Sequence, residues 1–313
     1  ASLCGWVDIV DGRAEQAFFD TFGFNSTEVT TYTDLASALL ETSPDVVIDV
    51  TVPEAHEGVT LMALAHGAHV LGEKPLSTSL DSGSRMIRAA EEAGLIYMVS
   101  QSRRYDGGLH AFRSCINELG GVALLTADFF IGAHFGGFRD VMPDVLLMDM
   151  AIHTFDAARF LIPHQPTSVS CDSFRLPWSW YEGAESALAT FQFANGARFS
   201  YRGSWASEGH NTSWESSWRA ICPKGTVTWD GGNKLCKQVV VGNDGFIREC
   251  ESIDVSIPPY PMPGIAGSLN DFLNALETGS TPMGICSDNI WSLAMVLYAV
   301  ESSLTGQKVD IAI

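Results

Sequence analysis

Lys74 stands in the tetrapeptide Gly72-Glu73-Lys74-Pro75, directly after the apolar run His69-Val70-Leu71. Such a run reads as a buried strand, and a lysine at its carboxyl end lies where α/β sheets hold ligands. Downstream, Asp149, His153 and Asp156 occur at helical spacing inside an otherwise apolar stretch. Residues four apart on a helix share a face, so Asp149 and His153 point the same way and Asp156 falls near them. Imidazole titrates near neutral pH, and a nearby carboxylate favours its protonated form, which suits a general base. A cation at a strand end and an Asp/His pair on a helix together suggest proton-handling chemistry. The plainer alternatives are a turn lysine at the surface and a helix whose His and Asp satisfy each other.

Positioning these groups requires a scaffold, and the first hundred residues supply one. Short β-rich runs at Leu3 to Asp8, Val29 to Tyr32, Asp45 to Val50, His69 to Glu73 and Ile96 to Ser100 alternate with helical patterns. Asp34 and Ser79 are placed to cap two of the helices, and Val59, Met62, Ala63 and His66 mark the apolar face of another. This alternation predicts a parallel, doubly wound sheet. After Arg104 the pattern changes. A helix runs to Leu119, a strand spans Val122 to Ile131, and an apolar helix covers Leu147 to Leu161. Alternating strands follow at 168–174, 186–193, 197–205, 218–221 and 226–229, with Asn195-Gly196 as a hairpin turn between two of them. Helices over Leu269 to Leu276 and Ile290 to Leu304 complete the second half. The expected domains are therefore residues 1–103, α/β with a doubly wound parallel sheet, and 104–313, an α+β domain with a large, mostly antiparallel, open-faced sheet.

Composition narrows the function. The 313-residue chain is 46% apolar, yet no apolar run approaches the ~20 residues of a membrane span. Its formal charge of −19 argues against nucleic acid and anionic membranes, which demand basic patches. The seven cysteines are scattered, with no Cys-x-x-Cys. Cys222, Cys236 and Cys250 are evenly spaced but lack a histidine at zinc-ligand distance, so no metal is expected, and a reducing cytoplasm fits.

A dinucleotide-binding Rossmann unit places G-x-G-x-x-G after its first strand and an acid ~20 residues later. Asp8 ends the first visible strand and can serve as that acid for an adenosine ribose. No two glycines stand at i, i+2 anywhere in the chain. In the strand order 3-2-1-4-5-6 the strand before the glycines lies in mid-sheet, and its absence leaves a gap of about 9–10 Å, twice the inter-strand spacing. A natural protein with ~30 further residues ahead of this strand is one expectation; a shortened chain with a weakened dinucleotide site is the other.

Together these features resemble the glucose-fructose oxidoreductase / inositol dehydrogenase family of NAD(P)-dependent enzymes. The resemblance rests on Asp8-x-x-x-x-Arg13-Ala14, Thr51-Val52-Pro53-x-x-His56, Gly67 to Pro75, Arg104-Tyr105 and Asp149-x-x-x-His153-x-x-Asp156, and extends through Phe193 to Ala197, Gly203-Ser204-Trp205 and Leu269-x-Asp271-Phe272. It implies that Lys74 polarises the reacting oxygen and contacts the cofactor, that His153 takes the substrate's hydroxyl proton, and that Asp149 binds and orients. Cofactor contacts are then expected at Asp8, Thr51, Val52, Pro53, His56, Glu73 and Lys74, and substrate contacts at Lys74, Arg104, Tyr105, Asp149 and His153. For His56 a plain capping role is equally open. Asp8 is followed by apolar Ile9, which leaves nothing basic for a 2′-phosphate and favours NAD over NADP; Arg13 reads as a surface helix residue.

The implied reaction is hydride transfer between nicotinamide and a secondary alcohol of a sugar, cyclitol or related polyol. Two alternatives stand: an NAD-dependent glycosidase working by transient oxidation and elimination, and a non-catalytic sugar-binding relative. Trp205, Trp214 and Trp218 can stack on sugar rings or form core and interface. The aromatic residues Phe191, Phe193, Phe199, Tyr201, Trp205, Trp218 and Trp229 suggest a homo-oligomer, dimer or tetramer, packed through the open sheet face. Finally, a dehydrogenase needs its cation and base at one oxygen, which predicts Lys74 and His153 within about 8 Å of each other.

Overall fold

The computed structural model describes residues 2–23 and 29–313. They divide into two compact units, residues 1–99 and 100–313.

In the first unit the strands are β1 (Gly5–Val7), β2 (Thr30–Tyr32), β3 (Val46–Asp49), β4 (His69–Gly72) and β5 (Tyr97–Val99). Between them lie α1 (Arg13–Phe22), α2 (Leu35–Thr42), α3 (His56–Ala65) and α4 (Leu80–Ala93). Capping follows the sequence signals: Asp34 accepts from the Ser37 amide at 2.8 Å and Ser79 from that of Ser82 at 3.2 Å, satisfying N-terminal donors the helices cannot pair themselves. All strand pairs are parallel, but they form two ladders, β2-β1 and β3-β4-β5, with no pairing between β1 and β3. Val7 of β1 and Ile48 of β3 are exposed.

The second unit opens with a 3₁₀ turn, Ser102–Tyr105, and α5 (Gly107–Glu118). Its sheet has nine strands in the order β13-β12-β11-β10-β6-β9-β8-β7-β14. In chain order these are β6 (Leu124–Phe130), β7 (Pro166–Phe174), β8 (Ser186–Phe193), β9 (Arg198–Ser204), β10 (Ser217–Cys222), β11 (Gly225–Trp229), β12 (Leu235–Val240), β13 (Cys250–Val255) and β14 (Val309–Asp310). Only β6 and β9 run parallel among these pairs. The helices are α6 (Ile152–Leu161), which continues a π-helical turn at Leu146–Ala151, then α7 (Gly264–Thr278) and α8 (Cys286–Thr305).

Strand alternation sorts the side chains cleanly. Phe191, Phe193, Phe199, Tyr201, Trp218 and Trp229 all lie on the inner face and are at most 3% exposed. Phe155 of α6 packs edge-on against Phe191, Phe199 and Tyr201, and Phe112 of α5 meets Trp218 and Trp229. The aromatic argument for an oligomer is thereby corrected: these rings are core, because the period-2 pattern turns every one of them toward the helices. The opposite face carries the row Thr228, Arg219, Thr126, Ser200 and Thr190, with exposed Leu124, Leu188 and Ile221 among them.

Candidate functional site

In the first unit the site residues sit on three strand ends. Asp8 follows β1, and one carboxylate oxygen accepts from the Val10 amide at 2.9 Å. The other lies 3.8 Å from the exposed Arg13 guanidinium, a contact largely screened by water. At the end of β3 the buried Asp49 accepts both the amide and the hydroxyl of Thr51, at 3.0 and 2.6 Å, which fixes the turn through Thr51, Val52 and Pro53. The second Asp49 oxygen is buried with no hydrogen-bond partner among the described residues. Thr51 and Val52 are exposed and Pro53 is half-buried.

His56, the first residue of α3, is 1% exposed. Its Nδ1 is 2.9 Å from the Pro75 carbonyl and its Nε2 3.1 Å from the Thr51 carbonyl. The ring lies between the β3 turn and the β4 turn, where a neutral imidazole donates its single N–H to one of these two carbonyls. The β4 turn itself has a cis Lys74-Pro75 bond. Pro75, Leu76 and Ser77 are buried, whereas Glu73 and Lys74 are half-buried. The Lys74 amide donates to the Glu73 carboxylate at 3.2 Å.

In the second unit Asp149 belongs to the π-helical turn and His153 to the first turn of α6. A π-turn rotates less per residue than an α-turn and recurs at functional sites. Leu146, Leu147 and Met150 anchor it in the core, which leaves Asp149 and His153 half-buried. Asp149 accepts from Arg139 Nε at 2.7 Å. Asp156 turns the other way. It is fully buried, held by a bidentate pair from Arg104 at 2.7 Å for both bonds and by the Ser292 hydroxyl at 2.7 Å.

Arg104 and Tyr105 are both buried, and Tyr105 borders a cavity with Ser102, Arg103, Asp106, Glu215, Pro263 and Gly264. Arg104 also donates to Asp288 at 2.9 Å and to the Met283 carbonyl, and Tyr105 donates to Asp271 at 2.7 Å. Burial alone would weaken the charge on Arg104, but the Asp156 and Asp288 carboxylates outweigh it and raise its pKa. Burial, then the Asp271 bond, raises that of Tyr105. These bonds anchor the turn that carries both side chains. The partners lie 52 and 184 residues away in sequence, so no local signal could reveal them.

Sequence reading also passed over Arg103. Its guanidinium is buried between α6 and the segment before β10, donating to Thr154 at 3.1 Å and to the Trp214 carbonyl, and pairing with Glu215 at 3.0 Å. Burial lowers the Arg103 pKa and raises that of Glu215. No cluster of metal-ligating side chains occurs among the described residues.

The residues on the first unit's strand ends fit part of a dinucleotide. Asp8 offers a carboxylate to a ribose, and the unpartnered Asp49 oxygen is an acceptor at the exposed Thr51-Val52 turn. A glycine pair to cradle a pyrophosphate is not in the sequence.

Comparison with known proteins gives the class. Residues 2–101 match a family described as an oxidoreductase family with an NAD-binding Rossmann fold, and residues 117–228 match that family's C-terminal domain. The fold and its two sequence matches define an NAD-binding Rossmann oxidoreductase carrying a second, sheet-built domain. The chain belongs to the GFO/IDH/MocA family. Among its relatives, the 1,5-anhydro-D-fructose reductase of Ensifer adhaerens is 26% identical over 85% of this chain and 80% of its own. The D-apiose dehydrogenase of Rhizobium rhizogenes is 24% identical over 90% and 83%. An Agrobacterium radiobacter oxidoreductase solved with NAD+, L-tartaric acid and magnesium superposes with a TM-score of 0.86 at 22% identity, covering 99% of this chain and 91% of its own. An aldose-aldose oxidoreductase from Caulobacter crescentus, complexed with glycerol, superposes at 0.82 with 19% identity over 99% and 92%. These two superpositions establish the fold. Among the described residues no helix is long and apolar enough to cross a membrane.

Proposed function

We propose that the protein is an NAD-dependent dehydrogenase or reductase acting on a secondary alcohol of a sugar, cyclitol or related polyol. The observation that carries this reading is Lys74, half-buried at the carboxyl end of β4, in a chain that also presents Asp149 and His153 on successive helical turns. The names of the reductase and dehydrogenase relatives support the substrate class.

In this reading Lys74 stabilises negative charge developing on the reacting oxygen. His153 takes the hydroxyl proton in oxidation and returns it in reduction, and Asp149 accepts from a neighbouring hydroxyl and orients the substrate. The nicotinamide, when bound, supplies the hydride chemistry. Thr51, Val52, Pro53, His56 and Glu73 contact the cofactor. Asp8 accepts from the ribose 2′-hydroxyl and repels a 2′-phosphate, so NAD is preferred. A second copy of the chain covers the open face of the nine-stranded sheet through Leu124, Leu188 and Ile221.

The test is a polyol panel assayed for NADH formation, with Lys74→Ala and His153→Ala as controls. Substrate-dependent NADH lost in both variants is the expected result. The absence of tight NAD binding would favour the non-catalytic reading.

A further inference from the structure

Beside Asp149 lies an aromatic surface that the proposed chemistry does not use. Phe135 and Trp214 are 45% and 49% exposed, an unusual state for rings so firmly seated. Phe135 packs on buried Trp205 with centroids 5.0 Å apart, Trp214 packs on buried Phe129 at 6.0 Å, and the two exposed rings meet at 6.3 Å. Arg139 joins this pair to Asp149: its guanidinium lies over the Phe135 ring at 5.1 Å while its Nε donates to the Asp149 carboxylate.

Both supports are rigid. The Arg139 segment is tied through its backbone, where the Glu182 amide donates to Asp140 at 2.7 Å and the Ala184 amide to Pro143 at 2.6 Å. The Trp214 segment is clamped from below by buried Arg103, which also reaches Thr154 and lies 3.8 Å from the Met150 sulfur. Thr154 and Met150 are the immediate chain neighbours of His153 and Asp149. Two residues on, Ser216 holds a left-handed backbone at φ 69° with its side chain fully buried. A non-glycine residue keeps such a conformation only where its surroundings over-determine it, and such residues cluster at ligand sites. Exposed rings fixed in this way are pre-organised for a ligand, since little side-chain freedom remains to be lost.

We infer that Phe135 and Trp214 form a stacking wall that selects cyclic polyols, pyranoses or cyclitols, over open-chain ones; the inference rests on the polyol reading of the Asp149 and His153 site. A six-membered ring polyol with equatorial hydroxyls presents a flat face of C–H groups, which matches an aromatic plane. Its hydroxyls then project at the edge, where the Asp149 carboxylate accepts and Arg139 donates. An open-chain polyol has no persistent apolar face and loses rotor freedom on binding.

The test uses the full chain with three probes: myo-inositol and methyl β-D-glucopyranoside as rings, and D-sorbitol as the open chain. Tryptophan fluorescence is titrated without cofactor, and KM and kcat are measured with NAD. The rings should change the fluorescence and sorbitol should not. Phe135→Ala and Trp214→Ala should raise KM for whichever ring is oxidised by roughly three- to tenfold, the factor matching an aromatic contact, and leave kcat within about twofold. Trp214→Phe should keep that KM while losing the fluorescence response. Normal KM values and an unchanged ring-to-chain ratio in both alanine variants would overturn the wall and leave the dehydrogenase reading standing. If no polyol is oxidised but a ring-selective response disappears in Phe135→Ala, which keeps the Trp214 fluorophore, the dehydrogenase reading falls and the wall survives. A response from sorbitol equal to that of the rings, no response from any probe, or a change in molecular mass without one in KM would each refute it.

Discussion

At the scale of single residues, the proposed function assigns the chemistry and the cofactor choice to two groups. Lys74 is half-buried at a strand end, so removing its amine leaves no large cavity in the core. Lys74→Ala should therefore lower kcat by at least the ~10²-fold typical of a positioned proton-transfer group, with an unchanged melting temperature; near-normal turnover would exclude the role. In the proposed reading Asp8 discriminates between the cofactors, and its neighbour Arg13 at 3.8 Å is a cation that a 2′-phosphate would meet once the carboxylate is gone. Asp8→Ser should shift the ratio of NAD to NADP affinity toward NADP by roughly tenfold, the worth of one charged hydrogen bond. Titration of both cofactors against both proteins measures it.

The elements that carry these groups are held by polar networks as much as by apolar packing. Arg104 ties the 3₁₀ turn after β5 to α6 through Asp156 and to α8 through Asp288, and Arg159 joins Asp288 at 2.6 Å. Replacing Arg104 by methionine would leave Asp156 as a buried charge without its main partner, at a cost of about 3–5 kcal/mol, readable by urea unfolding. The same network sets an acid limit. Burial would raise the Asp288 pKa, but Arg159 and Arg104 outweigh it and hold the carboxyl below its usual range. A depressed carboxylate stabilises the fold above its unfolded value of about 3.9 and loses that contribution as pH falls through the folded value. Stability should thus fall steeply below about pH 4, and Asp288→Asn should flatten that limb in pH-dependent melting. Backbone closeness matters equally at Gly183, where a Cβ would stand 1.9 Å from the Met142 carbonyl and 2.2 Å from that of Pro143. Gly183→Ala must therefore displace the Arg139 segment, which should weaken ring-polyol binding before it unfolds the protein.

For the molecule as a whole, the nine-stranded sheet buries one face under helices and leaves the other a lattice of serine, threonine and paired charges such as Asp128 with Arg202 at 2.6 Å. Leu124, Leu188 and Ile221 interrupt that polar surface. If a second copy covers it, light scattering at micromolar concentration should give at least a dimer, and Leu188→Glu should shift the mass to that of one chain. A wild-type monomer would dismiss the oligomer proposal outright.

Period and capping were readable in the chain from the start. The 2- and 3.6-residue patterns, Asp34, Ser79 and Asn195-Gly196 placed the elements, because these signals act within a few residues. The Glu-Lys-Pro turn and the Asp/His spacing marked the family for the same reason: each is a short local motif. Which side of an element a residue faces was another matter. Asp156 was read beside His153, but a carboxylate turned into the core needs Arg104, and that pairing closes a loop of 52 residues. His56 could be placed between the β3 and β4 turns only once Pro75 and Thr51 were seen on either side of its ring. The aromatic strands were legible as strands, yet whether their rings met water or helices depended on which sheet face α5 and α6 cover. Local propensity wrote the elements; desolvation of charges and rings, which depends on neighbours distant in sequence, decided what each side chain is left free to do.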